Sequence, residues 1–97
     1  MGKIYVGQSD LRLYVDTGTN LSTASSVNIK GTNPSGTSIS TLNGIIQDAI
    51  NGIVYYQVGG TDFTITGTYI LWAEVNFIGG TTAWGEPFHL NVYSKGT

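Results

Sequence analysis

The longest strand pattern in this 97-residue chain runs from Gly67 to Ile78, and it constrains the fold more than any other segment. Apolar residues recur at every second position, which is the period expected when one face of a strand packs on a core. The odd-numbered face is the better candidate for the core, and it consists of Tyr69, Leu71, Ala73, Val75 and Phe77. The pattern therefore predicts a long central strand.

Shorter segments with the same alternation, or with a continuous β-forming run, occur along the rest of the chain. We predict strands at residues 4–6, 10–16, 26–30, 38–42, 53–58 and 88–93. Residues 45–50 fit two structures, a second strand or a short helix, because their apolar residues also have the spacing of a helical face. Turns rich in Gly, Asn and Pro separate the segments, and no strand–helix–strand pattern occurs. This combination predicts an antiparallel β-sandwich of about seven strands.

A chain of this length forms a single domain, which we place at residues 1–97. With 40% apolar and 10% charged residues, it is too apolar to be disordered. The net charge of −2 gives no basic surface for a phosphate backbone, which disfavours nucleic acid as a partner. There is no cysteine, so the fold has no disulfide. No apolar run is long enough for a signal peptide or a membrane span, which disfavours export by a signal peptide and membrane insertion.

Gly67 and Tyr69 match the motif Asp-x-Gly-x-Tyr-x-Cys, with Ile65 in the Asp position and Leu71 in the Cys position. The segment resembles the start of strand F of immunoglobulin-like domains, where this motif forms the tyrosine corner. The resemblance implies an immunoglobulin-like β-sandwich in which aliphatic packing replaces the disulfide and the Tyr69 hydroxyl bonds to backbone upstream. An ordinary strand tyrosine is the alternative interpretation.

Further short stretches occur in a characteristic order, at residues 3–8, 16–18, 21, 29–30, 34–37, 67–69, 72–73, 75, 85–87 and 92–93. Together they resemble a family of small immunoglobulin-like domains in tailed-phage structural proteins, often near tail-fibre and baseplate genes. The resemblance implies a virion component that is made in the host cytoplasm and binds other virion proteins or the host surface. Residues 39–50 depart from the family, because they lack the aromatic-rich strand that such domains often carry.

Five aromatic residues are candidates for contact with a partner or a glycan: Tyr5, Tyr14, Trp72, Trp84 and Tyr93. Tyrosine and tryptophan offer a large contact area for little lost entropy. Trp72 has two interpretations, because Trp84 from the following loop either packs over it or leaves it exposed as a platform.

From these features we predict a non-enzymatic structural, decoration or adhesion module of a phage particle. It binds other virion proteins, or a second copy of itself, by β-augmentation through its first or last strand. The alternative is a carbohydrate-binding module in which Trp84 and outward tyrosines hold a host-surface glycan.

The sequence predicts no catalytic residue, cofactor or metal site. His89 is the only histidine, and Glu86 falls on the opposite face of its strand, so neither a ligand set nor a catalytic relay is assembled. Asp10 and Asp16 lie about 20 Å apart along a strand, too far for a glycosidase pair. Residues 16–20 resemble a calcium loop superficially, but the acidic residue at its twelfth position is missing.

Overall fold

A computed structural model describes residues 4–9 and 11–95, and within these it contains eight strands and no helix. No segment of the described chain is a helix that could span a membrane. The strands are β1 (Ile4–Tyr5), β2 (Leu11–Asp16), β3 (Ala24–Thr32), β4 (Leu42–Asp48), β5 (Ile53–Val58), β6 (Gly67–Phe77), β7 (Thr82–Trp84) and β8 (Phe88–Tyr93).

The strands form one curled sheet in the order β1-β8-β6-β3-β4-β5-β2, and β7 pairs with the end of β6 beside β8. Strand β4 joins two layers, because residues 42–44 pair with β3 and the strand pairs with β5 from Ile45 onward. A Cβ atom on Gly44 would lie 3.0 Å from the Val27 carbonyl oxygen, so glycine permits the close approach to β3 where β4 changes partners. We call β4 from Ile45, β5 and β2 the three-strand layer.

The predicted immunoglobulin-like β-sandwich is confirmed. Strands β3, β6 and β8 lie in one layer, and β2 and β5 lie in the other, as in that fold. One pair differs from the predicted antiparallel arrangement, because β1 is parallel to β8, with Ile4 opposite Val92. This edge pair is short, and it connects the start of the chain to the last strand.

The core consists of the alternate residues of the long strands. On β6 the predicted face is confirmed: Tyr69, Leu71, Ala73 and Val75 are buried, and Phe77 is half-buried. Ile29 on β3 and Val54 on β5 are completely buried on the inner faces of the two layers. Removal of these apolar surfaces from water holds the cysteine-free layers together.

The buried Tyr69 forms the predicted contact with upstream backbone. The backbone N–H of Ile65 donates to its hydroxyl over 3.2 Å. The ring of Phe63 meets the Tyr69 ring edge to face, with 5.1 Å between the ring centroids. These contacts pack the loop before β6 onto the core, and Leu71 is buried in the predicted position of the missing cysteine.

One strand prediction is wrong, and the structure decides one segment that the sequence left open. The strand predicted at Ser38 to Leu42 begins only at Leu42, and Ser38 forms no more than an isolated bridge to Thr32. The open segment 45–50 is strand as far as Asp48 and then a turn, which Gly52 closes with a φ of 74°. The helical spacing there is coincidental, because Ile45 and Ile50 are exposed rather than on one buried face.

The first strand is also shorter than predicted. It ends at Tyr5, and Val6 lies in the following turn, where Gly7 has a φ of 74°. Asp10, one of the two aspartates considered as a catalytic pair, lies outside the described residues.

Candidate functional site

Strand β2 forms the outer side of the three-strand layer, and within residues 4–9 and 11–95 it pairs with β5 alone. The Thr17 N–H donates to the Gly52 carbonyl over 2.9 Å, which continues the β2–β5 register. In an antiparallel ladder, alternate residues bond to the same neighbour. The backbone groups of Leu11, Leu13 and Val15 therefore bond to β5, and those of Arg12, Tyr14 and Asp16 point away from it.

We call these outward backbone groups of Arg12, Tyr14 and Asp16 the β2 edge. Their side chains are exposed as well, and Tyr14 keeps 46% of its surface in contact with solvent. An edge of this kind presents evenly spaced donors and acceptors to an added strand. The edge is therefore a preformed template for pairing with another extended chain.

The side chains next to the β2 edge form a row across the outer face of the three-strand layer. Tyr14 is directly opposite Tyr55, and Tyr55 is directly opposite Ile45, which is 50% exposed. The Tyr14 and Tyr55 rings lie 5.9 Å apart at an angle of 45°. We call Tyr14, Tyr55 and Ile45 the outer row.

Arg12 joins the outer row electrostatically. Its guanidinium carbon lies 4.4 Å from the centre of the Tyr55 ring, a cation–π distance. A hydrogen bond with Tyr14, followed by the interaction with Tyr55, raises the pKa of Arg12. The guanidinium is therefore positioned at one end of the β2 edge, and the Asp16 carboxylate lies at the other end.

Tyr5 and Tyr93 lie together at the other side of the molecule. They are opposite each other in the β1–β8 pair, and their ring centroids are 6.4 Å apart. Tyr5 also lines an open cavity of about 350 Å³ together with Val6, Gln8 and Lys95. Both tyrosines are half-buried, so they present less free surface than Tyr14 does.

The two tryptophans lie on the outer face of the other layer, on β6 and β7. Trp72 is half-buried and opposite Lys30, whereas Trp84 is 60% exposed and opposite Glu74. No ring contact joins the two tryptophans in the described part of the chain, so packing of Trp84 over Trp72 is not observed. Trp84 instead lines a cleft of about 460 Å³ with the loop after β2 and Glu86.

Several acidic side chains are engaged in structural contacts. Glu74 pairs with Lys30 at 3.1 Å, and the hydrogen bond from Lys30 lowers the pKa of Glu74. Asp62 accepts hydrogen bonds from the Tyr56 hydroxyl and the Gly59 N–H, both at 2.7 Å. Burial, and then this bond to Asp62, raise the pKa of Tyr56 to about 12. The Glu74 contact links β6 to β3, and the Asp62 contacts hold the loop after β5.

His89 is exposed on β8, opposite Ile70 of β6. In residues 4–9 and 11–95, no group of three or more His, Cys, Asp or Glu side chains is placed to hold a metal ion. Asp16 accepts a hydrogen bond from Gly18 N–H at 2.9 Å, which closes a local turn.

The structure thus places Tyr14 beside Arg12, Tyr55 and Ile45, a group that was not predicted from the sequence. Arg12, Tyr55 and Ile45 were missed, although the alternation of β2 puts Arg12 and Tyr14 on one face. Tyr55 lies in a run that is apolar on both sides, so only the strand register shows that it contacts Tyr14.

No family model and no curated protein matches the sequence. The fold is similar to the solved structure of CopC from Methylosinus trichosporium OB3b, with a TM-score of 0.59 and 13% sequence identity. The similarity covers 100% of this chain and 89% of the CopC chain. At this level of identity the similarity shows a common β-sandwich fold.

This comparison corrects the function predicted from the sequence. The prediction was a structural or adhesion module of a phage particle, with glycan binding as its alternative. The similarity found is to CopC, a copper-binding protein, and not to a phage protein, which contradicts that prediction.

Proposed function

We propose that this chain is a non-catalytic binding domain that takes up an extended segment of a protein along the β2 edge. The observation that carries the proposal is the outer side of β2, which pairs with no strand in residues 4–9 and 11–95. Three N–H groups and three carbonyl groups point away from β5 there. Addition of a strand satisfies these groups and extends the three-strand layer. The β2–β5 pairing over six residues preorganises the edge, which lowers the entropy cost of binding.

The side chains of the β2 edge define the partner. In an antiparallel complex, residues of the added strand lie directly opposite Arg12, Tyr14 and Asp16, and opposite charges or paired aromatic rings stabilise such positions. The favoured segment therefore carries a basic residue opposite Asp16, an aromatic residue opposite Tyr14 and an acidic residue opposite Arg12. Read from its N-terminus, that segment has the order basic, aromatic, acidic, with one residue between each.

A labelled peptide tests this proposal. We expect the peptide Thr-Lys-Thr-Tyr-Thr-Glu-Thr to bind the protein, as measured by fluorescence anisotropy. Exchange of its Lys and Glu should weaken binding about tenfold, because two charge pairs become like-charged and a tenfold change corresponds to about 1.4 kcal/mol.

The variant Tyr14→Pro provides the backbone control. It removes one outward N–H and leaves the bonds to β5, which is the position where an edge strand tolerates proline. Tyr14→Thr is its matched partner, because it removes the ring and keeps the N–H. Binding that is retained by Tyr14→Thr and lost in a folded Tyr14→Pro supports the proposal; equal binding to both variants, or none to the wild type, contradicts it.

The similarity to CopC favours metal binding as a second candidate function. The single imidazole, His89, is exposed on β8 and is the side chain to test first. For this candidate we expect calorimetric titration with Cu²⁺ to give one saturable site that His89→Ala removes. Identical titrations of the wild type and the variant would contradict a metal site at His89.

A further inference from the structure

We propose that the β2 edge pairs with the β2 edge of a second copy of this chain, in an antiparallel dimer whose twofold axis passes through Tyr14. The inference rests on the proposed function and names its partner. The order basic, aromatic, acidic that the edge selects is the order of Arg12, Tyr14 and Asp16 in β2 itself. The strand therefore carries the pattern complementary to its own edge.

The outward N–H and carbonyl groups of the two copies meet in this register. An added antiparallel strand forms a ladder only where outward groups of one copy meet outward groups of the other. With Tyr14 opposite the partner's Tyr14, Arg12 lies opposite the partner's Asp16, and Asp16 lies opposite the partner's Arg12. All three outward residues of each copy are then paired. A shift by two residues in either direction loses one of these pairs and both charge matches.

The side chains lie on the side of the sheet where these contacts would form, and Arg12 would exchange its contact with the Tyr55 ring for the partner's Asp16. Arg12, Tyr14 and Asp16 are all exposed and lie on one face of β2. The Asp16 Oδ1 atom accepts the bond from Gly18, and Oδ2 is left to accept from the partner's Arg12. Because of the twofold symmetry the Arg12–Asp16 pair occurs twice and the Tyr14 pair once, as in the isologous interfaces of most homodimers.

The dimer also continues the outer row. The row of one copy, Ile45, Tyr55 and Tyr14, meets the same row of the other copy at the axis, so six aligned side chains cross a six-stranded layer. Aromatic pairs in directly opposite positions stabilise neighbouring strands. A second copy also covers the exposed edge of β2, which would otherwise be free to pair with other chains and cause aggregation.

Charge reversal tests the dimer. Sedimentation equilibrium of the wild type should show a monomer–dimer equilibrium, and Arg12→Asp should weaken dimerisation about tenfold, because two attractive pairs become repulsive. Asp16→Arg should do the same. An equimolar mixture of the two variants should dimerise as strongly as the wild type, since each mixed dimer contains two attractive pairs again. Both positions are exposed, but Asp16 accepts the bond from Gly18 and Arg12 contacts the Tyr55 ring, so a thermal melt of each variant must show that it stays folded.

A cysteine locates the axis, because the chain contains no other cysteine. Under mild oxidation, Tyr14→Cys should form a disulfide-linked dimer much faster than Ile78→Cys, which is more exposed but lies far from the β2 edge along the chain. A wild type that stays monomeric, or a mixture of charge variants that does not recover dimerisation, would overturn the dimer. If the labelled peptide still binds in that case, the proposed function stands without it; if neither partner binds, both proposals fail.

Discussion

Replacement of Gly31 by alanine should destabilise the domain by about 3 kcal/mol, because the added methyl group has no space. Gly31 lies on β3 directly opposite Leu71 of β6 and is buried. A Cβ atom there would overlap the carbonyl oxygen of Ile70, and it would lie 3.1 Å from the Cα atom of Leu71. Backbone atoms of a paired strand cannot move aside as a side chain can, so β3 and β6 must separate locally.

Urea denaturation of Gly31→Ala and the wild type measures this effect. Gly79→Ala is the matched control, because no heavy atom beyond its two chain neighbours lies within 4 Å of the added methyl group and Gly79 has no left-handed φ. We expect the control to stay within about 0.5 kcal/mol of the wild type. An equally stable Gly31→Ala variant would show that β3 and β6 are not packed at the distance described.

Truncation of Phe63 to alanine should cost about 3–5 kcal/mol, the range for removal of a buried phenylalanine ring. Phe63 lies in the loop between β5 and β6, yet it is buried and its ring contacts Tyr69 edge to face. Its carbonyl accepts a hydrogen bond from Gly7 at 3.1 Å. Loss of the ring leaves a cavity beside Tyr69 and loosens the loop that connects the two layers.

Two further variants serve as comparisons for the loss of stability in Phe63→Ala. Phe63→Leu keeps most of the apolar volume and should cost about 1.5 kcal/mol, and Ile78→Ala at an exposed position should change stability by less than about 0.5 kcal/mol. Since domains of this size are stable by about 5–15 kcal/mol, the alanine variant removes a large part of the total. Similar unfolding midpoints for Phe63→Ala and Ile78→Ala would contradict the assignment of Phe63 to the core.

The candidate site was only partly predictable. The alternation of residues 11–16 shows that Arg12, Tyr14 and Asp16 share the exposed face, because side chains alternate across any strand. That β2 would be an edge strand is not a local property, since it depends on which strands pair. Strand addition at the first or last strand was expected from the sequence. The structure places β1 at one end of the strand order and β2 at the other, and within residues 4–9 and 11–95 β2 pairs with β5 alone.

The sequence by itself determined the sandwich and the inward face of its longest strand. Side chains alternate across any strand, so the apolar residues at every second position from Tyr69 to Val75 mark the buried face without knowledge of the other strands. The tertiary structure alone decided that β4 passes from one layer to the other, that Phe63 of a loop joins the core, and that Tyr14 meets Tyr55. The physical reason is that strand order and register arise from contacts between residues far apart in the chain, whose pairing depends on how all strands pack together.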